Sequence, residues 1–100
     1  MANFEMDPAY LRYIKSEAWK LRCAAYFARY GRWCKACRTT KGPLQVHHMT
    51  YDRLGKEPLT DLVSVCAPCH RGIHALHRKR GRRISLYEAT QTYIKNKRIR

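Results

Sequence analysis

Acidic side chains are scarce in this sequence. Seven Asp and Glu face 21 Lys and Arg, which leaves a formal charge of +14 over 100 residues. Long apolar runs are missing too. No stretch approaches the roughly 18 residues that a membrane span needs, and the opening Met1-Ala2-Asn3-Phe4-Glu5-Met6-Asp7 is mixed and acidic, unlike a signal peptide. A cytosolic protein is expected. There is no internal repeat, which excludes solenoids and propellers, and no linker long enough to divide the chain into separate domains. The cysteines lack an even count. Five of them leave one unpaired under any disulfide scheme, and in a reducing compartment they argue for metal binding.

What is present suits one compact α+β domain over residues 1–100. A chain of this size buries only ~60–65% of its unfolded surface, so an extra staple would help it. Hydrophobic residues at 45% and aromatics at 11% still supply a modest core and set the chain apart from disordered sequences. The charge is unevenly spread. Residues 1–41 carry nine bases and three acids, residues 42–70 two and three, and residues 71–100 ten and one, so basic flanks bracket a nearly neutral centre. Nucleic acid fits that pattern, because each phosphate neutralised releases counterions and adds sequence-independent affinity. An anionic membrane surface fits less well, since no clean basic amphipathic helix with an apolar face stands out.

The elements can be placed from periodicity and punctuation. Asp7 and Pro8 signal the start of a first helix, with Leu11, Ile14, Ala18, Leu21 and Ala25 as its core stripe and Gly31 as its stop. Leu44-Gln45-Val46-His47-His48 and Leu62-Val63-Ser64-Val65-Cys66 read as short strands. Pro68 opens a helix that carries Cys69, His70, His74 and His77, and the segment Lys79-Arg80-Gly81-Arg82-Arg83 breaks it. Ser85 and Glu88 form a capping box for a last helix through Tyr93-Ile94. The expected parts are an N-terminal helical flank (1–31), a core (32–78) and a basic C-terminal helical flank (79–100).

Two groups of residues carry chemistry. Cys34 and Cys37 form one CxxC and Cys66 and Cys69 another, with 28 residues between the pairs. Four such thiolates suit tetrahedral structural zinc. Cys23, inside the first helix without a partner at ligand spacing, reads as a small core residue. All five histidines lie between positions 47 and 77. His70 and His74 are four apart on a helix and project from one face, the spacing needed to grip one ion. His47 and His48 end the preceding strand, where adjacent side chains point to opposite faces; both serve one site only if the chain turns there or the two act from different sides. His77 reads as a surface residue or a phosphate contact.

The string Cys34-x2-Cys37, Leu44-Gln45-Val46-His47-His48, Tyr51, Leu54-Gly55, Glu57, Asp61-Leu62, Cys66-x2-Cys69-His70 and Ile73-His74 resembles the HNH nuclease family. It is closest in pattern to small phage and bacterial members with two zinc knuckles. The resemblance covers about residues 30–75, with Trp19 and Arg22 as weaker points of likeness. It implies a ββα-metal finger, a two-stranded ribbon and a helix clasping one catalytic divalent ion. Position by position, it implies His47, His70 and His74 as ligands of that ion and His48 as general base. Where the family usually has Asn, this chain has Asp61. That residue either holds the loop around the base with its carboxylate, accepts a hydrogen bond from His48, or caps the turn.

The chemistry is coherent on its own terms. A neutral imidazole takes a proton from water near physiological pH, and a divalent ion stabilises the growing charge on the leaving oxygen. Three imidazoles suit Zn, Ni, Co or Mn better than Mg as that ion. Arg71, Arg78, Lys79, Arg80, Arg82 and Arg83 flank the metal helix and are expected to hold neighbouring phosphates without reading sequence. The expected function is a DNA endonuclease acting on duplex DNA as a monomer or weak dimer, alongside other DNA-processing proteins. Two rivals stand beside it: a non-catalytic zinc-knuckle DNA-binding module, and an RNA endonuclease on the same scaffold.

Overall fold

A computed structural model describes residues 7–98, so the outer limits drawn at residues 1 and 100 lie outside the described residues. Among these are four helices and one antiparallel ribbon: α1 Pro8–Ile14, α2 Glu17–Tyr30, β1 Leu44–His48, β2 Leu62–Cys66, α3 Ala67–Arg80 and α4 Leu86–Arg98. Short 3-10 turns at Leu59–Asp61 and Gly81–Arg83 lead into β2 and out of α3. Among the described residues, no helix is long and apolar enough to cross a membrane.

The first helical segment departs from expectation in two ways. Asp7 does cap α1, accepting from Ala9 N at 2.8 Å, but the chain breaks at Lys15-Ser16. Ser16 restarts it as an N-cap whose hydroxyl accepts from Trp19 N. A serine that offers the backbone a local acceptor competes with continued helix, and here it wins. The inward face of α2 is therefore aromatic. Tyr26 is buried and Trp19, Cys23 and Tyr30 are half-buried, whereas Ala18 and Ala25 are exposed and Leu21 is 66% exposed. The part of the expected stripe on α2, Ala18, Leu21 and Ala25, is thus not the core face, whereas Leu11 and Ile14 on α1 are half-buried. Aromatic area outweighs aliphatic spacing in deciding which side packs.

Elsewhere the elements lie where their signals put them. Both strands keep the expected limits and pair with Leu44 opposite Cys66 and His48 opposite Leu62. Gly31 ends α2 at φ 84, and the Ser85–Glu88 box closes with Glu88 N donating to Ser85 Oγ at 3.0 Å. Helix α3 runs past residue 78 to Arg80, so the boundary between core and C-terminal flank falls inside a helix; Gly81 is its C-cap.

The ribbon lies between two helical layers. Val63, Val65 and Met49 pack with Ile73 of α3 and Ile94 of α4 in the main core. On the other side, the outer edge of β2 is sealed by side chains and by the knuckle, as an exposed edge would otherwise invite pairing. Ser64 N donates to Tyr26 Oη at 3.1 Å, Ser64 Oγ donates to Trp33 O at 2.6 Å, and Lys35 N donates to Ser64 O at 3.0 Å.

Helices α3 and α4 pack tightly at Gly72. A Cβ built there would meet the Tyr93 ring at 2.5–2.8 Å. Helix propensity alone favours Gly72→Ala by about 1 kcal/mol, but overpacking a fitted contact costs about 1–3 kcal/mol. The second effect should win, because moving the ring also breaks its contact with Cys69. Gly72→Ala is expected to lower the Tm of the zinc-loaded protein, read by circular dichroism; an equal or higher Tm would show that α4 yields freely.

Candidate metal centres and the enclosed histidine

The four cysteines converge. Sγ atoms of Cys34, Cys37, Cys66 and Cys69 all lie within 4.8 Å of one another, with Cys37 and Cys66 sulfurs 3.7 Å apart. Three are buried and Cys37 is exposed. The first knuckle is closed by Arg38 N donating to Cys34 O at 2.8 Å, with Arg38 itself at φ 71, and by Cys37 N donating to Cys34 Sγ at 3.4 Å. Burial works to raise the Cys34 thiol, but the N–H groups of Cys37, Cys66 and Ala36 outweigh it and bring it down to about 7. Burial pushes Cys69 up to about 12 even though Tyr93 hydrogen-bonds to it. Four cysteine sulfurs this close are compatible with a structural zinc ion, whose binding would deprotonate them. Cys23 stays apart, half-buried in α2, with burial and then Glu57 pushing its thiol up to about 11.

The second group is made of imidazoles. Ring nitrogens of His47 from β1 and of His70 and His74 from α3 lie within 4.8 Å of one another. His70 and His74 Nε2 are 3.2 Å apart, one helical turn bringing them side by side. Burial first, then the three neighbouring imidazoles, push His47 down to about 2, so it is neutral and able to ligate. Thr90 of α4 donates its only hydroxyl hydrogen to Leu86 O at 2.7 Å. Its oxygen, 3.0 Å from His47 Nε2, therefore accepts there, and the other ring nitrogen of His47 keeps the lone pair. A ligand histidine anchored through its second nitrogen is the usual outer arrangement of a metal site. His77 belongs to neither group.

His48 goes the other way. It packs against α1 and α2 and is 2% exposed, with Trp19 stacked on it at 4.5 Å, Tyr51 near-parallel at 5.4 Å and Tyr10 edge-on at 6.0 Å. Its Nε2 is 2.6 Å from Glu57 Oε2, and Tyr13 Oη donates to Glu57 Oε1 at 2.7 Å. Burial works to raise the Glu57 carboxyl, but the hydrogen bonds from His48 and Tyr13 outweigh it and hold it below the usual range.

Asp61 makes no hydrogen bond to His48. It is buried, receives Arg53 Nε at 2.8 Å and Nη2 at 2.7 Å, and its carbonyl accepts from Met49 N at 2.8 Å. Of the roles open to it, holding the loop matches these bonds. Arg71, Arg78, Lys79, Arg80, Arg82 and Arg83 are all exposed along α3 and the turn after it. Beside the thiolates lies a cleft of about 360 Å³, edged by Lys41 and Lys97; none of the three clustered histidines lines it.

Sequence reasoning passes over Thr90, Tyr13 and the role of Glu57. Thr90 carries no signal at all. Glu57, one of three acids in the neutral middle, is visible as a motif position without a function. Comparisons with protein-family models, curated proteins and solved structures return no match.

Because Cys37 is the exposed member of the group, Cys37→Ser would remove one candidate ligand with little loss of packing. A structural zinc site contributes about 10–16 kcal/mol in small domains, so this variant should lose its zinc and its cooperative unfolding transition. Elemental analysis with thermal melting checks it; retained zinc and an unchanged Tm would remove the site.

Proposed function

We propose that this protein is an HNH-type, metal-dependent endonuclease that hydrolyses DNA phosphodiester bonds. The observation that carries the reading is the convergence of His47, His70 and His74 into one group, with His48 next to His47 on the same strand. The likeness of the Cys34–His74 motif string to that family supports it, as does a charge of +14.

In this reading His48 takes a proton from water as the water oxygen bonds to phosphorus. The bond from phosphorus to the 3′ oxygen breaks, and that oxygen takes a proton from solvent, leaving 5′-phosphate and 3′-hydroxyl ends. A divalent ion held by His47, His70 and His74 would supply charge stabilisation at the leaving oxygen. The side chains of Arg71, Arg78, Lys79, Arg80, Arg82 and Arg83 hold adjacent phosphates, so binding weakens as salt rises. Thiolate zinc is structural, keeping β2 and α3 joined at Cys66 and Cys69. A single finger cuts one strand at a time.

The enclosure of His48 favours a second reading, a zinc-knuckle module that binds DNA without cutting it. Supercoiled plasmid separates the two. With Mn, Co, Ni, Zn or Mg added, the wild type should nick, and His48→Ala should lose about 100-fold or more of the rate while still shifting DNA on a gel. His74→Ala should lose the second ion and the nicking together. Wild-type protein that shifts plasmid but leaves it intact with every metal would establish the binding module, and preference for RNA in the same assay would redirect the substrate.

A further inference from the structure

Glu57 is 1% exposed in the loop between β1 and β2, and nothing in the reaction so far uses it. Burying a carboxylate is costly unless charge-assisted hydrogen bonds compensate it. Here both oxygens are engaged, Oε1 by the Tyr13 hydroxyl at 2.7 Å and Oε2 by His48 Nε2 at 2.6 Å. An ionised carboxylate has no hydrogen to give, so His48 is the donor in that contact. A neutral imidazole carries one N–H, which leaves the lone pair on Nδ1. The ring plane is set separately, by Trp19 stacked at 4.5 Å and an interplanar angle of 20°. Stacking alone tolerates a flip of the ring about its own axis; the bond to Glu57 selects one orientation.

We infer that Glu57 is the positioning residue for His48, holding the imidazole as its Nε2–H tautomer so that Nδ1 is the nitrogen offered to water. The inference rests on reading His48 as the general base. Asp61, the other buried acid between the strands, is occupied by Arg53. Tyr13 fastens the far oxygen of Glu57, so α1 takes part in the arrangement although none of its residues is buried.

Long-range proton–nitrogen NMR spectra of the 15N-labelled, zinc-loaded protein, recorded above the imidazole titration range, test this directly. Wild-type His48 should show a protonated Nε2 and a lone-pair Nδ1. Glu57→Gln should lose that single-tautomer signature and slow plasmid nicking about 10–100-fold, as loss of an orienting partner does at comparable sites. DNA binding and cobalt uptake by the histidine group should be unchanged. Tyr13→Phe, which leaves the Glu57–His48 bond, should keep the wild-type tautomer. A wild-type His48 protonated at Nδ1 would overturn the inference. So would a folded Glu57→Gln protein with the same tautomer and the same nicking rate. The wild-type spectrum needs neither a variant nor activity, so absence of nicking would sink the general-base reading while the role of Glu57 is decided by the spectrum.

Discussion

Successive side chains of a β-strand point to opposite faces, and at His47-His48 that alternation divides the chemistry of the domain. His47 faces α3 and α4 and meets His70, His74 and Thr90; His48 faces α1 and α2 and meets Trp19 and Glu57. A slip of one residue in the ribbon would exchange the two rings and destroy both arrangements. The register is held at both ends. At one end Leu44 pairs with Cys66, which is itself in the thiolate group; at the other Met49 N bonds to Asp61 O, with Arg53 clamped on the Asp61 carboxylate.

The two ligand groups are joined through α3. Cys69 lies in its first turn and is bound into the thiolate group, and His70 and His74 follow on the same rigid helix. In a domain this small, metal binding adds directly to folding energy. An ion held by the four cysteines would fix in place the helix from which the imidazole group is built, and α4 adds support by placing Tyr93 at Gly72 and Thr90 at His47.

Much of this is legible in the sequence. Strand limits follow from short stretches with Leu or Val at alternate positions, ended by His48 and Cys66, and the two CxxC pairs announce a four-sulfur group because their spacing has little other use. The histidine group is half legible: the spacing of His70 and His74 gives one helix face, while the addition of His47 depends on a strand crossing that helix. Least legible is α2, where aliphatic residues at helical spacing are exposed and Trp19, Cys23 and Tyr26 turn inward. Which face packs depends on a partner surface, including His48, that is far away in sequence. The tie between His48 and Glu57 spans a loop whose shape depends on Asp61 and Arg53, and no local periodicity encodes it.

The proposed function requires two ions of different character in one domain, a thiolate-bound ion for structure and an imidazole-bound ion for chemistry. Element-specific anomalous diffraction from crystals grown with zinc and soaked in manganese or cobalt, with a DNA duplex bound, tests it most directly. Zinc is expected among Cys34, Cys37, Cys66 and Cys69, and a second ion on His47, His70 and His74 with a DNA phosphate oxygen beside it. A single ion at the thiolates, with the three histidines metal-free and DNA bound elsewhere, would contradict it.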